Sequence, residues 1–343
     1  RWQRLLSLWF YENRLTLRWI YIRVHLLQYP LAHSTSVMIM HIKFIDSITH
    51  ISADTWNAIT GVDYPFTRHE FLAALELSGA TTRNSGWQPH HLLVYQDEQP
   101  EASLIALMPL YLKYHSYGEY VFDWAWADAY QRNGLDYYPK LVAAIPYTPS
   151  TGPRLCSSSD VCAEALYPLV SQALQQEAGN CQASSVHILF PQPSAMLAFE
   201  QTGLRKRRGV QFHWFNDNFT DFDDFLSRFS SRKRKNLNKE RRQIESQDLQ
   251  LEVLEGPAIS PQIWQRFYHF YQMTYAKRSG HSGYLNLDFF ERVAKAMPEH
   301  IVLIMAKHES QYIAGALNFR DSQTLYGRYW GCLKEFDYLH FEA

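Results

Sequence analysis

Between Ile301 and Cys332 the chain spells out three apolar runs, Ile301–Lys307, Tyr312–Arg320 and Thr324–Cys332, separated by the short polar turns His308–Gln311 and Asp321–Gln323. Runs of this length, rich in β-branched and aromatic residues and joined by two tight turns, have one economical fold, an antiparallel meander. What precedes it is equally ordered. Leu249–Leu254 reads as a strand, Ser260–Arg278 as a helix with Pro261 in its first turn, and Leu287–Ala296 as a second helix. The region before residue 219 follows a similar order. A strand is expected over His41–Ile48, helices over Ala53–Ile59 and Thr67–Ser78, and a hairpin from His90–Gln96 and Ala102–Lys113 around the turn Asp97–Pro100. A helix over Tyr120–Gln131, a strand over Leu141–Tyr147, a long helix over Ser159–Ala178, a buried strand over Ser185–Phe190, a helix over Pro193–Thr202 and one or two strands within Leu204–Phe215 complete it. The expected class is α+β. Two units of like order are expected, 41–218 and 219–343, behind an N-terminal extension of residues 1–40; residues 1–37 read as attached upstream sequence, with an amphipathic membrane-surface helix as the rival reading. The second unit is expected to be incomplete, because the chain stops at Ala343 in the opening turn of a helix.

Charge supplies the second constraint. The whole chain carries a net charge of only −1, yet Arg228–Arg242 holds eight cations against the single acid Glu240, a local net of +7. The stretch reads as one helix, capped by Thr220 or Asp221, with Asp221, Asp223 and Asp224 in its first turn, where the dipole favours anions. Arg232, Lys235, Lys239 and Arg242 fall on one face, and Leu226, Phe229, Leu237 and Ile244 form an apolar stripe for docking. A single-signed row of this kind suits phosphate groups. Cys156, Cys162, Cys181 and Cys332 show no close pairing, so neither a disulfide framework nor a metal site is expected, and a reducing cytoplasm fits. No apolar run is long enough for a membrane span.

Several stretches carry a resemblance. Pro65–Glu76, Gly86–Leu92, Pro109–Tyr130, Tyr137–Leu141, Pro149–Leu155, Gln211–Trp214, Ser230–Asn236, Ile313–Leu317, Tyr326–Gly331 and Leu339–Glu342 are similar to the FemAB-like predicted N-acyltransferases, a peptidoglycan biosynthesis or recognition family. The resemblance implies two tandem acetyltransferase-like (GNAT) domains with mixed, mainly antiparallel sheets, the second truncated at its C-terminus. It also implies N-acyl or aminoacyl transfer to an amine, on a peptidoglycan precursor or another phosphate-bearing acceptor. No bound cofactor is expected, and acyl-CoA and aminoacyl-tRNA are both open as donors. The rival reading is a module without chemistry that recognises cell-wall fragments or RNA through the basic helix.

Acyl transfer to an amine needs a proton acceptor and donors for the developing oxyanion. The densest titratable cluster of the first unit holds His115, Glu119 and Asp123, the candidate bases, beside Lys113. Thr151 and Arg154 lie in a proline-rich turn that resembles an anion-binding loop. Arg328 and Trp330 are expected to alternate with Tyr326 on one strand face, as a clamp for a carboxylate or phosphate, and His340 and Glu342 follow at a helix start. Together with Arg232, Lys235, Lys239 and Arg242 these are the expected substrate contacts.

Overall fold

The computed structural model describes residues 19–20, 40–96, 103–121, 123–334 and 336–342. The Asp97–Pro100 turn, residues 1–37 apart from 19–20, and Ala343 lie outside the described residues. The strands are β1 (Trp19–Ile20), β2 (His41–Ile45), β3 (Trp87–Pro89), β4 (His91–Tyr95), β5 (Leu104–Met108), β6 (Tyr111–Lys113), β7 (Lys140–Ala143), β8 (Cys156–Ser157), β9 (Val186–Ile188), β10 (Leu249–Glu255), β11 (Ile301–His308), β12 (Gln311–Arg320) and β13 (Leu325–Cys332). The α-helices are α1 (Ala53–Thr60), α2 (His69–Leu77), α3 (Trp124–Arg132), α4 (Ala163–Asn180), α5 (Pro193–Gln201), α6 (Phe222–Ser227), α7 (Ser231–Glu245), α8 (Pro261–Ser279), α9 (Leu287–Ala296) and α10 (Leu339–Glu342). The class is mixed α+β with mainly antiparallel sheets.

The expected hairpin is present but bent. Its outer half joins a sheet of order β1-β2-β4-β5-β8, and its inner half joins β3-β6-β7-β9. The bend falls at His90 and at Pro109-Leu110, where Pro109 has no N–H for the ladder. Pairing resumes through the His90 N–H, which donates to the Leu110 carbonyl at 2.8 Å. At the far edge of the inner sheet β9 runs parallel to β7, with Val142 opposite His187.

The meander forms as expected, in the order β10-β11-β12-β13. Helix α8 starts at Ser260, whose side chain accepts from the Ile263 N–H, and stops at Gly280 in the left-handed region. It buries Trp264, Phe267, Phe270 and Tyr271. Strand β13 passes so close beneath that a Cβ at Gly331 would stand 2.3 Å from the Phe270 carbonyl carbon. One continuous apolar cluster then takes in both halves of the sequence, from Ile45, Trp56, Phe66 and Trp87 to Phe267, Phe289, Phe319 and Tyr329. Arg68 adds an ion pair to Glu299 at 2.6 Å, and Tyr147 stacks on Tyr284.

Four expectations change. The basic stretch is two helices: Asp221 caps α6, and Ser230 returns to extended backbone and caps α7 by accepting from the Lys233 N–H. The acids Asp223 and Asp224 therefore sit in the first turn of α6, not of the basic helix. The apolar stripe survives the break, with Leu226 and Ile244 buried and Phe229 and Leu237 half-buried. Residues 204–215 alternate as a strand should but hold no ladder; Phe212 is 99% exposed and Val210 83%. Strand β9 is half-buried along its length, because it is a sheet edge facing a groove. Last, the register of β13 slips between Leu317 and Asn318, leaving Arg328 as the extra residue of a bulge. Tyr326 pairs with Phe319 and Trp330 with Ala316, an odd separation, so the two rings point to opposite faces and the expected clamp is split.

Candidate functional site

Two of the residues singled out from the sequence, Glu119 and Asp123, come together around Lys140, with Lys113 close by. Strand β6 delivers Lys113 at its last position, the following turn delivers Ser116 and Glu119, and Asp123 precedes α3. Lys140 enters from the start of β7, wholly buried. Its Nζ donates to Glu119 Oε2 at 2.9 Å, to Ser116 Oγ at 2.9 Å, and to Asp123 Oδ2. The Tyr137 hydroxyl donates to the same Asp123 oxygen at 2.7 Å, and Tyr138 shares a hydrogen bond with Ser116 at 2.8 Å. Asp123 stands at the N-cap of α3 yet makes no cap bond, since its carboxylate is turned to Lys140.

One ammonium facing two carboxylates drives their affinities for protons apart. For Asp123, burial would raise the pKa, but hydrogen bonds from Lys140 and Tyr137 outweigh it and hold the carboxyl below its usual range. For Glu119, burial wins over Lys140, and the carboxyl is pushed up. Lys113 makes its contacts elsewhere. Its Nζ lies 3.7 Å from the centre of the Trp87 ring and donates to the Tyr117 carbonyl at 3.2 Å. Burial lowers it to about 6. Lys113 is 0% exposed, so its amino group meets the protein interior and not a ligand.

The other expected residues scatter. His115 is half-buried beneath Gly86, where a Cβ would fall 2.2 Å from its Nε2. Its Nδ1 accepts from the Tyr117 N–H at 3.3 Å, and Glu119 and Asp123 turn to Lys140 instead. Arg154 is fully buried, donating to the carbonyls of Leu189, Pro153 and Ser150 at 2.8, 2.9 and 2.5 Å; it staples its turn to the end of β9. Thr151 is exposed in the same turn. Arg328 donates to the Tyr147 carbonyl and lies 5.0 Å over the Tyr329 ring, bridging the two halves. Trp330 packs on a separate small core at the far end of the meander. Arg232, Lys235, Lys239 and Arg242 are exposed on α7, His340 is exposed on α10, and the side chain of Glu342 lies outside the described residues.

Beside the cluster opens a groove of about 1240 Å³, walled by β9, by Tyr120 and Trp126, by Thr151, and by the segment 204–211. Two features of it bear on chemistry, and of these the sequence announces the second, a basic run, but not the first. The first is His187 on β9. Burial, reinforced by the charge of Lys140, lowers it to about 4, so its imidazole is neutral at physiological pH. Its Nε2 lies 2.9 Å from Ser185 Oγ, and Trp126 and Tyr137 flank the ring. The signal in the sequence is a pair of polar residues, Ser185 just before and His187 within an otherwise apolar strand. The second is the run Arg205–Arg208 along the opposite wall, with Arg207 5.0 Å over the Trp126 ring. The strand itself is also an asset. Leu141 N–H bonds to the Ser185 carbonyl, and Leu189 N–H to the Ala143 carbonyl. The alternation of a ladder therefore turns the peptide groups of Val186 and Ile188 away from β7, toward the groove.

A family model described as FemAB-like, peptidoglycan biosynthesis/recognition, matches residues 47–343. No curated protein matches the chain. Among the described residues, no helix is long and apolar enough to cross a membrane.

Proposed function

The chain belongs to the FemAB-like family, and from that premise we propose that it transfers an acyl or aminoacyl group to an amine of a peptidoglycan precursor, in the groove beside β9. The observation that carries the reading is the edge of β9 set against four consecutive basic residues. The N–H groups of Val186 and Ile188 are fixed dipoles of the kind that stabilise a developing oxyanion. Arg205, Lys206, Arg207 and Arg208 supply cations for the phosphates of the donor, coenzyme A or tRNA, or of the acceptor. Attack by an amine releases a proton, and the neutral imidazole of His187 is the acceptor within the groove. Asp123, ionised behind it, favours the imidazolium; Lys140 opposes it. Glu119, with its raised pKa, is the best matched of the three expected bases, but at 3% exposure it acts from behind Lys140. The order of strands and helices in each half supports the tandem acetyltransferase-like arrangement. Either donor puts the reaction in the cytoplasm.

Incubation with candidate acyl-CoA and aminoacyl-tRNA donors, followed by release of free coenzyme A or tRNA, tests the proposal directly. His187→Asn is expected to lower turnover by on the order of a hundredfold with the fold intact. Full activity in that variant would move the proton acceptor elsewhere, with Glu119→Gln, Asp123→Asn and His115→Asn as the next substitutions. The exposed row on α7 supports a second reading, a binding module without chemistry. Saturable, strongly salt-dependent binding with no turnover of any donor would favour it.

A further inference from the structure

Away from the groove, at the C-terminal end of α4, three residues of different chemistry converge: His90, Glu177 and Cys181. Glu177 and Cys181 are one helical turn apart on the same face, and His90 enters from the bend between β3 and β4. We propose that they bind a thiophilic divalent cation of the Zn²⁺ class, tying α4 to the sheet at its bend.

The distances are those of a site. His90 Nε2 lies 2.7 Å from Glu177 Oε1, Cys181 Sγ lies 3.4 Å from that oxygen, and Sγ and Nε2 are 3.9 Å apart. A tetrahedron built on Zn–S of about 2.3 Å and Zn–N or Zn–O of about 2.0–2.1 Å has edges of about 3.3–3.6 Å. The 3.4 Å edge already lies in that span, the 3.9 Å edge closes by about 0.3 Å, and the 2.7 Å edge opens by about 0.6 Å when the His90–Glu177 hydrogen bond gives way to the metal. The surroundings hold the ligands in place. Asn180 Nδ2 donates to the other Glu177 oxygen at 2.9 Å, leaving Oε1 for the cation. The His90 ring stacks on Phe44 at 5.0 Å, which fixes its plane. Glu177 is buried, and hydrogen bonds to His90 and Asn180 hold its carboxylate in place. The carbonyl end of α4 is the end that favours a cation. On binding, the Cys181 thiol loses its proton to solvent, and carboxylate, thiolate and neutral imidazole balance the 2+ charge. No spacing in the sequence announces the site, because residues 90 and 177–181 meet only in space.

Titration of the reduced full chain with Co²⁺ tests the inference. The expected result is one saturable equivalent with a thiolate-to-cobalt charge-transfer band in the near ultraviolet, bleached by Zn²⁺. The band should vanish in Cys181→Ser and persist in Cys162→Ser, whose thiol is exposed elsewhere. His90→Gln and Glu177→Gln should each weaken binding by more than about tenfold, and Asn180→Ala by about tenfold. Should Cys181→Ser fold poorly, alkylation of the wild-type chain decides the same question: Zn²⁺ should slow modification of Cys181 at least tenfold and leave Cys162 unchanged. Absence of the band, its persistence in Cys181→Ser, or equal alkylation with and without Zn²⁺ overturns the proposal.

Discussion

The Lys140 cluster and helix α7 both concentrate charge, under opposite conditions. Around Lys140 one ammonium and two carboxylates are sealed from water, each within hydrogen-bond reach of another group. On α7 a row of four cations faces solvent. In the first, every charge depends on its partner, because an unpaired buried charge is costly. In the second, water screens each cation, and the row has value only to something that arrives from outside. The cluster is therefore expected to govern folding and the pH response, and the helix to govern binding. The same logic divides the basic residues that face the groove, Arg205–Arg208, from the buried Arg154, which holds its turn in place.

The largest expected effect is the loss of Lys140. Lys140→Met leaves Glu119 and Asp123 facing one another in the interior without a counter-ion, and should destabilise the fold by about 3–5 kcal/mol in a urea titration. Adding Asp123→Asn and Glu119→Gln to the same chain removes both stranded charges and should recover most of that loss. A triple variant no more stable than Lys140→Met would show that the lysine acts by packing and not by charge, and the contrast with α7 would collapse.

Next in size is the pH response. Lys113 is lowered to about 6 in the fold, while the unfolded chain keeps its lysine protonated to about 10.5. Between those values the unfolded state binds the extra proton, so stability rises with pH, by up to about 1.4 kcal/mol per unit. Lys113→Met should be more stable than the parent at pH 7 and should lose that slope. Asp123 acts at the other end. Its folded pKa lies below the ordinary value, so its contribution is present at neutral pH and fades as pH falls through the acid range. Glu119 has the opposite sign, since the folded state takes up its proton before the unfolded chain does. Acid titration of Asp123→Asn should therefore show a flatter loss of stability than the parent, and that of Glu119→Gln a steeper one. A slope unchanged by Lys113→Met would mean that the Trp87 ring, at 3.7 Å, keeps the ammonium charged despite burial.

These two regions also differ in how far the sequence reveals them. The α7 row is contiguous, so its charge and its face are readable directly. The break at Ser230 is not, because Asp221 and Ser230 are both good caps and the charge pattern runs on through the second of them. The meander is readable because its turns are short and its runs long. The bulge at Arg328 is hidden, since alternation carries no mark of a residue that drops out of register. In the cluster, Glu119 and Asp123 stand out as an acidic pair, but Lys140 passes as one residue of the stretch Tyr137–Leu141. A buried cation is recognised by its partners, and they lie 17 and 21 positions away. His187 stays hidden for the same reason: its lowered pKa comes from burial and from Lys140, neither of which is local in sequence. Strands at 204–215 are expected from alternation alone, which describes a segment suited to pairing without supplying the partner.

The smallest effect on stability, and the sharpest test of the comparison, comes from α7. Reversing Arg232, Lys235, Lys239 and Arg242 to Glu removes no buried contact. The helix keeps its buried Ile244, its half-buried Leu237 and its Ser230 cap, so melting should shift little. Binding should behave otherwise. If all four cations meet phosphates of one polyanionic substrate such as tRNA, the logarithm of affinity falls with the logarithm of salt concentration at a slope of about −3 from this row alone. The reversed variant should lose that share of the slope and most of its affinity at low salt. Reversal at Arg205–Arg208 should reduce affinity and also turnover, because those residues line the groove where the chemistry is proposed, whereas α7 should affect affinity alone. Equal binding by the parent and the α7 variant, across salt, would make the row a solvated surface and leave the groove as the one basic site for the substrate.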